Sequence, residues 1–134
     1  MNTFHLTVQT VDGPAFDGQA QRLFCRTIDG DVAILANHAD YCSALGMGEA
    51  RVTMEDGTVH RAACIGGMVT MLDNHCRLLA TTWEWSENID VARAEAAKAK
   101  AEALLHRTDL DDRELAMASA KLQRALVRSS VGKK

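Results

Sequence analysis

Residues 86–105 read SENIDVARAEAAKAKAEALL, and this stretch divides the chain. From Ala92 to Leu105 alanine is interleaved with charge, and from Ser86 onward neither glycine nor proline appears until Gly132. Alanine and straight-chain residues lose little on entering a helix, so the segment is written for one. Upstream the pattern changes to short alternating runs broken by Gly, Asp and Asn, the signature of strands and tight turns. The expected fold is α+β: a small antiparallel β-sandwich or barrel over residues 1–85, followed by an antiparallel two-helix hairpin over residues 86–134.

The first helix is expected to start near Ile89, with Asn88 or Ser86 as its cap and Asp90 in the first turn, where the helix dipole favours an acid. Running to about His106 it would be roughly 27 Å long. Thr108–Asp109 is expected to cap a second helix reaching about Ser129. Val91, Ala94, Ala97, Ala101 and Leu104 form one stripe; Leu115, Ala118, Leu122 and Ala125 or Leu126 form the opposing one. A buried leucine contributes about 1.5–3 kcal/mol and an alanine much less, so this seam predicts a hairpin that depends on the sandwich, a ligand or a partner.

In the first part, FHLTVQTV places Phe4, Leu6 and Val8 on one face, and RLFCRTI and DVAIL read as further strands. DGPAFDG, with the only proline, Pro14, reads as a turn, and ANHAD as a loop. Two hairpins follow. One closes at Asp56–Gly57, read as a two-residue type I′ turn, and the other at Asp73–Asn74. Gly66–Gly67 signals a bulge or a close backbone approach.

Charge is unevenly spread. Residues 1–85 hold five arginines against ten acids, and residues 86–134 hold ten basic residues against eight acids. Beyond Leu115 there is no acid, only Lys121, Arg124, Arg128, Lys133 and Lys134. A basic helix end fits an acidic partner or a phosphate ligand, or simply complements its own dipole. The pI near 5.9 and scarce aromatics argue against nucleic-acid binding. No apolar run reaches the ~20 residues of a membrane span, and the start reads as a strand rather than a secretory signal. The four cysteines show no CxxC pair and read as reduced and mostly buried. An enzyme using His38, His60 or His75 as metal ligands is disfavoured, because no close-spaced ligand pair and no recognisable nucleophile turn accompany them; no catalytic or metal residues are assigned.

Three segments carry a resemblance. GDVAILANHAD (30–40) is similar to the run Gly-Glu-Leu-Gly-Ile followed by Pro-Gly-His-Ala-Pro in the epsilon subunits of the F-type ATP synthase: Gly30, Ile34, His38 and Ala39 match, and Asp31 takes the acidic place. IGGMVTML (65–72) resembles that family's Gly-Gly-Phe hairpin opening, and IDVARA (89–94) matches its Ile/Leu-Asp-x-x-Arg-Ala motif in full. The loop departs from the pattern at Val32, Ala33, Ala36, Asn37 and Asp40, and Met68 replaces the aromatic.

The resemblance implies a non-catalytic central-stalk subunit, peripheral on the cytoplasmic face of a bacterial plasma membrane. It would couple proton-driven rotation to ATP synthesis. The implied partners are the gamma stalk subunit, the membrane rotor ring and the catalytic alpha and beta subunits, with the hairpin inhibiting ATP hydrolysis. No cofactor is required, and ATP is the implied regulatory ligand, held by Glu84, Ile89, Asp90, Arg93, Ala94, Arg124 and Arg128. Lys100 stands where nucleotide-binding members tend to carry Arg, and lacks its planar fork. Asp31 and His38 are the implied stalk or ring contacts; Lys121, Arg124 and Arg128 are the implied catalytic-subunit contacts. The alternative is a stand-alone nucleotide sensor using the same hairpin. Asp90 and Arg93 also fit a plain ion pair at a helix start.

Overall fold

The computed structural model describes residues 2–133; Lys134, counted above with the basic end of the chain, lies outside them. The chain divides into two compact units, residues 1–85 and 86–134. The first holds seven strands: β1 (Phe4–Thr10), β2 (Gly13–Thr27), β3 (Gly30–Leu35), β4 (Tyr41–Ala44), β5 (Met47–Met54), β6 (Val59–Leu72) and β7 (His75–Trp85). The second holds a 3-10 turn (Ser86–Asn88) and two helices, α1 (Val91–Leu105) and α2 (Asp112–Gly132).

The strand path β1-β7-β6-β5-β2 closes on itself because β2 also pairs with β1, while β3 extends from β2 and β4 pairs with β6. Every pairing is antiparallel except β1–β7. That pair joins the two strands furthest apart in sequence, where no short connection dictates direction. Strict alternation buries Phe4, Leu6 and Val8 completely. They join Leu23, Cys25, Ile34, Val52, Val69, Met71 and Leu78 in one core, with Trp83 at its margin. Aliphatic and sulfur side chains dominate it, as the aromatic-poor composition requires.

Four expectations change. Pro14 lies inside β2, not in a turn. It sits at the second residue of the strand, beside the register shift between Val8 and Gln9, one of the places where a missing N–H is tolerated. The Asp56–Gly57 turn is a three-residue loop: the Gly57 N–H donates to the Met54 carbonyl at 3.0 Å, and Gly57 takes φ +91°. That is a type I turn followed by a G1 bulge, with Asp56 Oδ1 accepting from the Thr58 N–H and hydroxyl. β4 was not expected, and β6 runs unbroken through Gly66–Gly67. There the close approach is real: a Cβ on Gly67, at φ +118°, would lie 1.8 Å from the Leu79 carbonyl oxygen. The Asp73–Asn74 turn is as expected, with φ of 50° and 59° and Leu72 paired to His75.

Three of the four cysteines, Cys25, Cys64 and Cys76, are buried and Cys42 is exposed; all are free thiols. Burial pushes the Cys25, Cys64 and Cys76 thiols up to about 12.

Candidate functional site

The hairpin starts two residues later than expected. Ser86–Asn88 form the 3-10 turn, so neither Ser86 nor Asn88 caps α1. Asp90 does so instead, accepting from the Arg93 N–H at 3.0 Å. Likewise Asp111, not Thr108 or Asp109, caps α2, accepting from the Glu114 N–H at 2.8 Å with the spacing of a capping box. Asp109 takes the Arg107 guanidinium through both oxygens, at 2.6 and 3.0 Å.

The seam between the helices is alanine and serine. Ala94 and Ala101 of α1 and Ala118, Ala125 and Ser129 of α2 are buried, while Leu115 and Leu126 of the expected stripe are exposed. The seam runs past Ser129, where α2 was expected to end, to Val131 and Gly132. A Cβ on Gly132 would come within 2.8 Å of Val91 and 2.9 Å of Ile89, so glycine lets the end of α2 close on the start of α1. One turn away, Glu95 of α1 accepts from the buried Ser129 hydroxyl at 2.5 Å and pairs with Lys133. Hydrogen bonds from Lys133 and then Ser129 hold the Glu95 carboxyl down to about 2.

Midway along the hairpin a groove of about 320 Å³ opens over Ala97 and Ala101, which explains why Ala97 is exposed although it lies on the expected stripe. Its walls carry Lys100 from α1 and Lys121, Arg124 and Arg128 from α2. Four formal positive charges over an apolar floor suit an anion with an apolar portion. The dipole explanation does not cover them: α2 ends at Gly132, the dipole acts within the last turn, and that turn holds no basic residue.

Within the hairpin the expected ATP residues fall in different places. Arg124 and Arg128 meet Lys100 and Lys121 in the groove. Asp90 and Arg93 stand exposed at the start of α1, and the first-turn amide of Arg93 is already taken by Asp90. Ile89 and Ala94 are buried seam residues. Glu84 stands on β7 of the sandwich unit. Lys100, noted in the sequence only as a departure, is the residue that completes the groove.

Asp31 and His38 are set apart by the length of one strand. Asp31 is at the start of β3, where its carboxylate receives the Arg26 guanidinium at 3.0 and 3.4 Å. His38 follows the end of β3, its ring edge-on to Tyr41 at 5.8 Å and its Nδ1 2.7 Å from the Ala39 carbonyl. At ~3.3 Å per residue the length of β3 keeps them from forming one patch. The other histidines have separate surroundings. His60 lies edge-on to Trp85 at 6.2 Å. His75 stacks on His5 at 4.2 Å, and partial burial, with Arg77 and His5 beside it, lowers its pKa. Among the described residues no cluster of three His, Cys, Asp or Glu could hold a metal ion.

Two family models account for the chain in order. The model of the ATP synthase delta/epsilon chain beta-sandwich domain matches residues 3–86, and that of the delta/epsilon chain long alpha-helix domain matches residues 87–133. The chain is 34% identical over 131 residues to the ATP synthase epsilon chain of Exiguobacterium sp., covering 98% of this chain and 96% of that one. It is 37% identical over 135 residues to the ATP synthase epsilon chain of Ruminococcus albus, covering 100% and 99%.

The chain belongs to the ATP synthase epsilon family.

As an epsilon-family member it is a central-stalk subunit of the F-type ATP synthase. The epsilon fold reaches well beyond sequence likeness. A chain in the cryo-EM structure of the Euglena gracilis mitochondrial ATP synthase (OSCP/F1/c-ring) superposes with a TM-score of 0.85 at 19% identity, over 96% of this chain and 80% of that one. A chain in the Tetrahymena thermophila mitochondrial central stalk/c-ring structure gives 0.69 at 13% identity, over 96% and 95%.

Proposed function

We propose that this epsilon-family chain is a non-catalytic subunit that couples proton-driven rotation to ATP synthesis and restrains ATP hydrolysis through α1 and α2. In this reading the sandwich joins the gamma stalk subunit and the membrane rotor ring through Asp31 and His38. The hairpin meets the catalytic alpha and beta subunits through Lys121, Arg124 and Arg128. The chain is peripheral, on the cytoplasmic face of a bacterial membrane; among the described residues no helix is long and apolar enough to cross one. The observation that carries the reading is that both epsilon domains match in order along nearly the whole chain.

ATP is the proposed regulatory ligand, with its phosphates against Lys100, Lys121, Arg124 and Arg128. An anion and an acidic surface of a catalytic subunit would then compete for the same cations, and each would stabilise a different state of the hairpin. Asp90 acts as the cap of α1 rather than as a phosphate neighbour, since its carboxylate is bonded to the Arg93 amide.

The test is reconstitution of synthase lacking this subunit with the full chain or with a variant ending at Trp85. ATP hydrolysis several-fold higher with the truncated chain is expected; equal rates overturn the inhibitory role. Calorimetry with ATP addresses the ligand: 1:1 binding lost in Arg124→Ala and Arg128→Ala supports it, and no heat at millimolar ATP removes it. A free-standing sensor is the second reading, favoured by a groove built wholly from hairpin residues. It predicts ATP binding without capture of the gamma subunit.

A further inference from the structure

The turn between β6 and β7 holds a side chain that bonds to two distant segments. Asn74, at φ +59°, accepts at Oδ1 from the Asn37 N–H at 2.7 Å and donates from Nδ2 to the Thr3 carbonyl at 3.0 Å. Its backbone carbonyl accepts from the His5 N–H at 3.1 Å. Asn74 is separated by 37 residues from Asn37 and by 71 from Thr3, so one amide ties the β6–β7 turn to the β3–β4 loop and to the start of β1. The loop is fixed again one residue on, where the His38 N–H donates to the Leu35 carbonyl at 3.1 Å. Asn37 itself takes φ +61°, in the left-handed region that asparagine tolerates better than most residues.

The position is chemically demanding. It needs tolerance of the left-handed region, an acceptor aimed at Asn37 and a donor aimed at Thr3. Asparagine meets all three; aspartate keeps the first two, and glycine keeps only the first. We infer that Asn74 is the positioning residue of the docking loop: by clamping Asn37 it presents His38 and Asp40 in one pose to the stalk and ring. This inference rests on the reading of His38 as a docking residue. A loop ordered in advance need not be ordered on binding, so the clamp acts on affinity more than on the stability of the sandwich, whose core lies elsewhere.

The experiment uses the full chain, added back in increasing amounts to synthase lacking this subunit, with restoration of ATP-driven proton pumping as the readout. Amide exchange at Asn37 and the melting temperature are measured in parallel. Asn74→Gly is expected to keep the turn and the melting temperature, to speed exchange at Asn37, and to raise the half-saturating concentration about tenfold. Asn74→Asp, which keeps the acceptor for Asn37, is expected to dock like the wild type. Wild-type docking by Asn74→Gly, or docking by Asn74→Asp as weak as that of Asn74→Gly, overturns the inference. His38→Ala separates the two layers. If it docks normally, the docking reading itself falls; if it docks weakly while Asn74→Gly does not, only the positioning role falls.

Discussion

Gly67 is where the sandwich tolerates no side chain. Alanine there would combine a left-handed backbone with a Cβ 1.8 Å from the Leu79 carbonyl oxygen, and β7 backbone cannot step aside without breaking its pairing to β6. Gly67→Ala is expected to cost at least about 3 kcal/mol of stability in chemical denaturation. Gly13 provides the control. Its φ is +123° but nothing lies within 4 Å of its Cβ position, so Gly13→Ala is expected to show only the backbone penalty, about 1 kcal/mol. The Gly-Gly pair was legible from sequence because glycine in a strand has few other uses. The role of Asn74 was not: its partners are non-local, and an asparagine in a tight turn already has a local explanation.

At the scale of the helices, Glu95 joins α1 to α2 at the end of the hairpin that also carries Gly132. The folded carboxyl sits at about 2 against an ordinary 4.5. A depressed acid contributes stability that is fully present above its unfolded pKa and is lost as pH falls through the folded one. The hairpin should therefore lose helix stability between pH 4.5 and about 2. Glu95→Gln, which cannot ionise, should lack that component; melting followed by far-UV circular dichroism across the window checks this, and parallel curves for the two proteins would refute it. The helices themselves were plain in the sequence, since no glycine or proline appears from Ser86 until Gly132. Their caps were not. Ser86, Asn88 and Asp90 are all competent caps within five residues, and the 3-10 turn over Ser86–Asn88 leaves that role to Asp90.

Across the whole molecule, two units of opposite charge balance are joined at Trp85–Ser86. The strands with clean alternation were readable. β4 was not, having four residues and no alternation of its own, and β2 was cut short by trusting Pro14 and Gly18 as turn residues. The groove was half readable: the spacing of Arg124 and Arg128 put them on one face, but only the packing of α1 on α2 brings Lys100 to them rather than Asp90 and Arg93. Because Lys100 offers a point charge, Lys100→Arg is expected to tighten ATP binding several-fold in calorimetry, with an affinity that falls as salt rises. An unchanged affinity would place the phosphates elsewhere. Finally, the burial of three thiols makes the fourth useful. Cys25, Cys64 and Cys76 remain protonated and shielded at neutral pH, whereas Cys42 faces outward on β4. A maleimide dye should therefore add once per chain by mass spectrometry, giving this central-stalk subunit a native attachment point for a fluorescent reporter without any engineered cysteine.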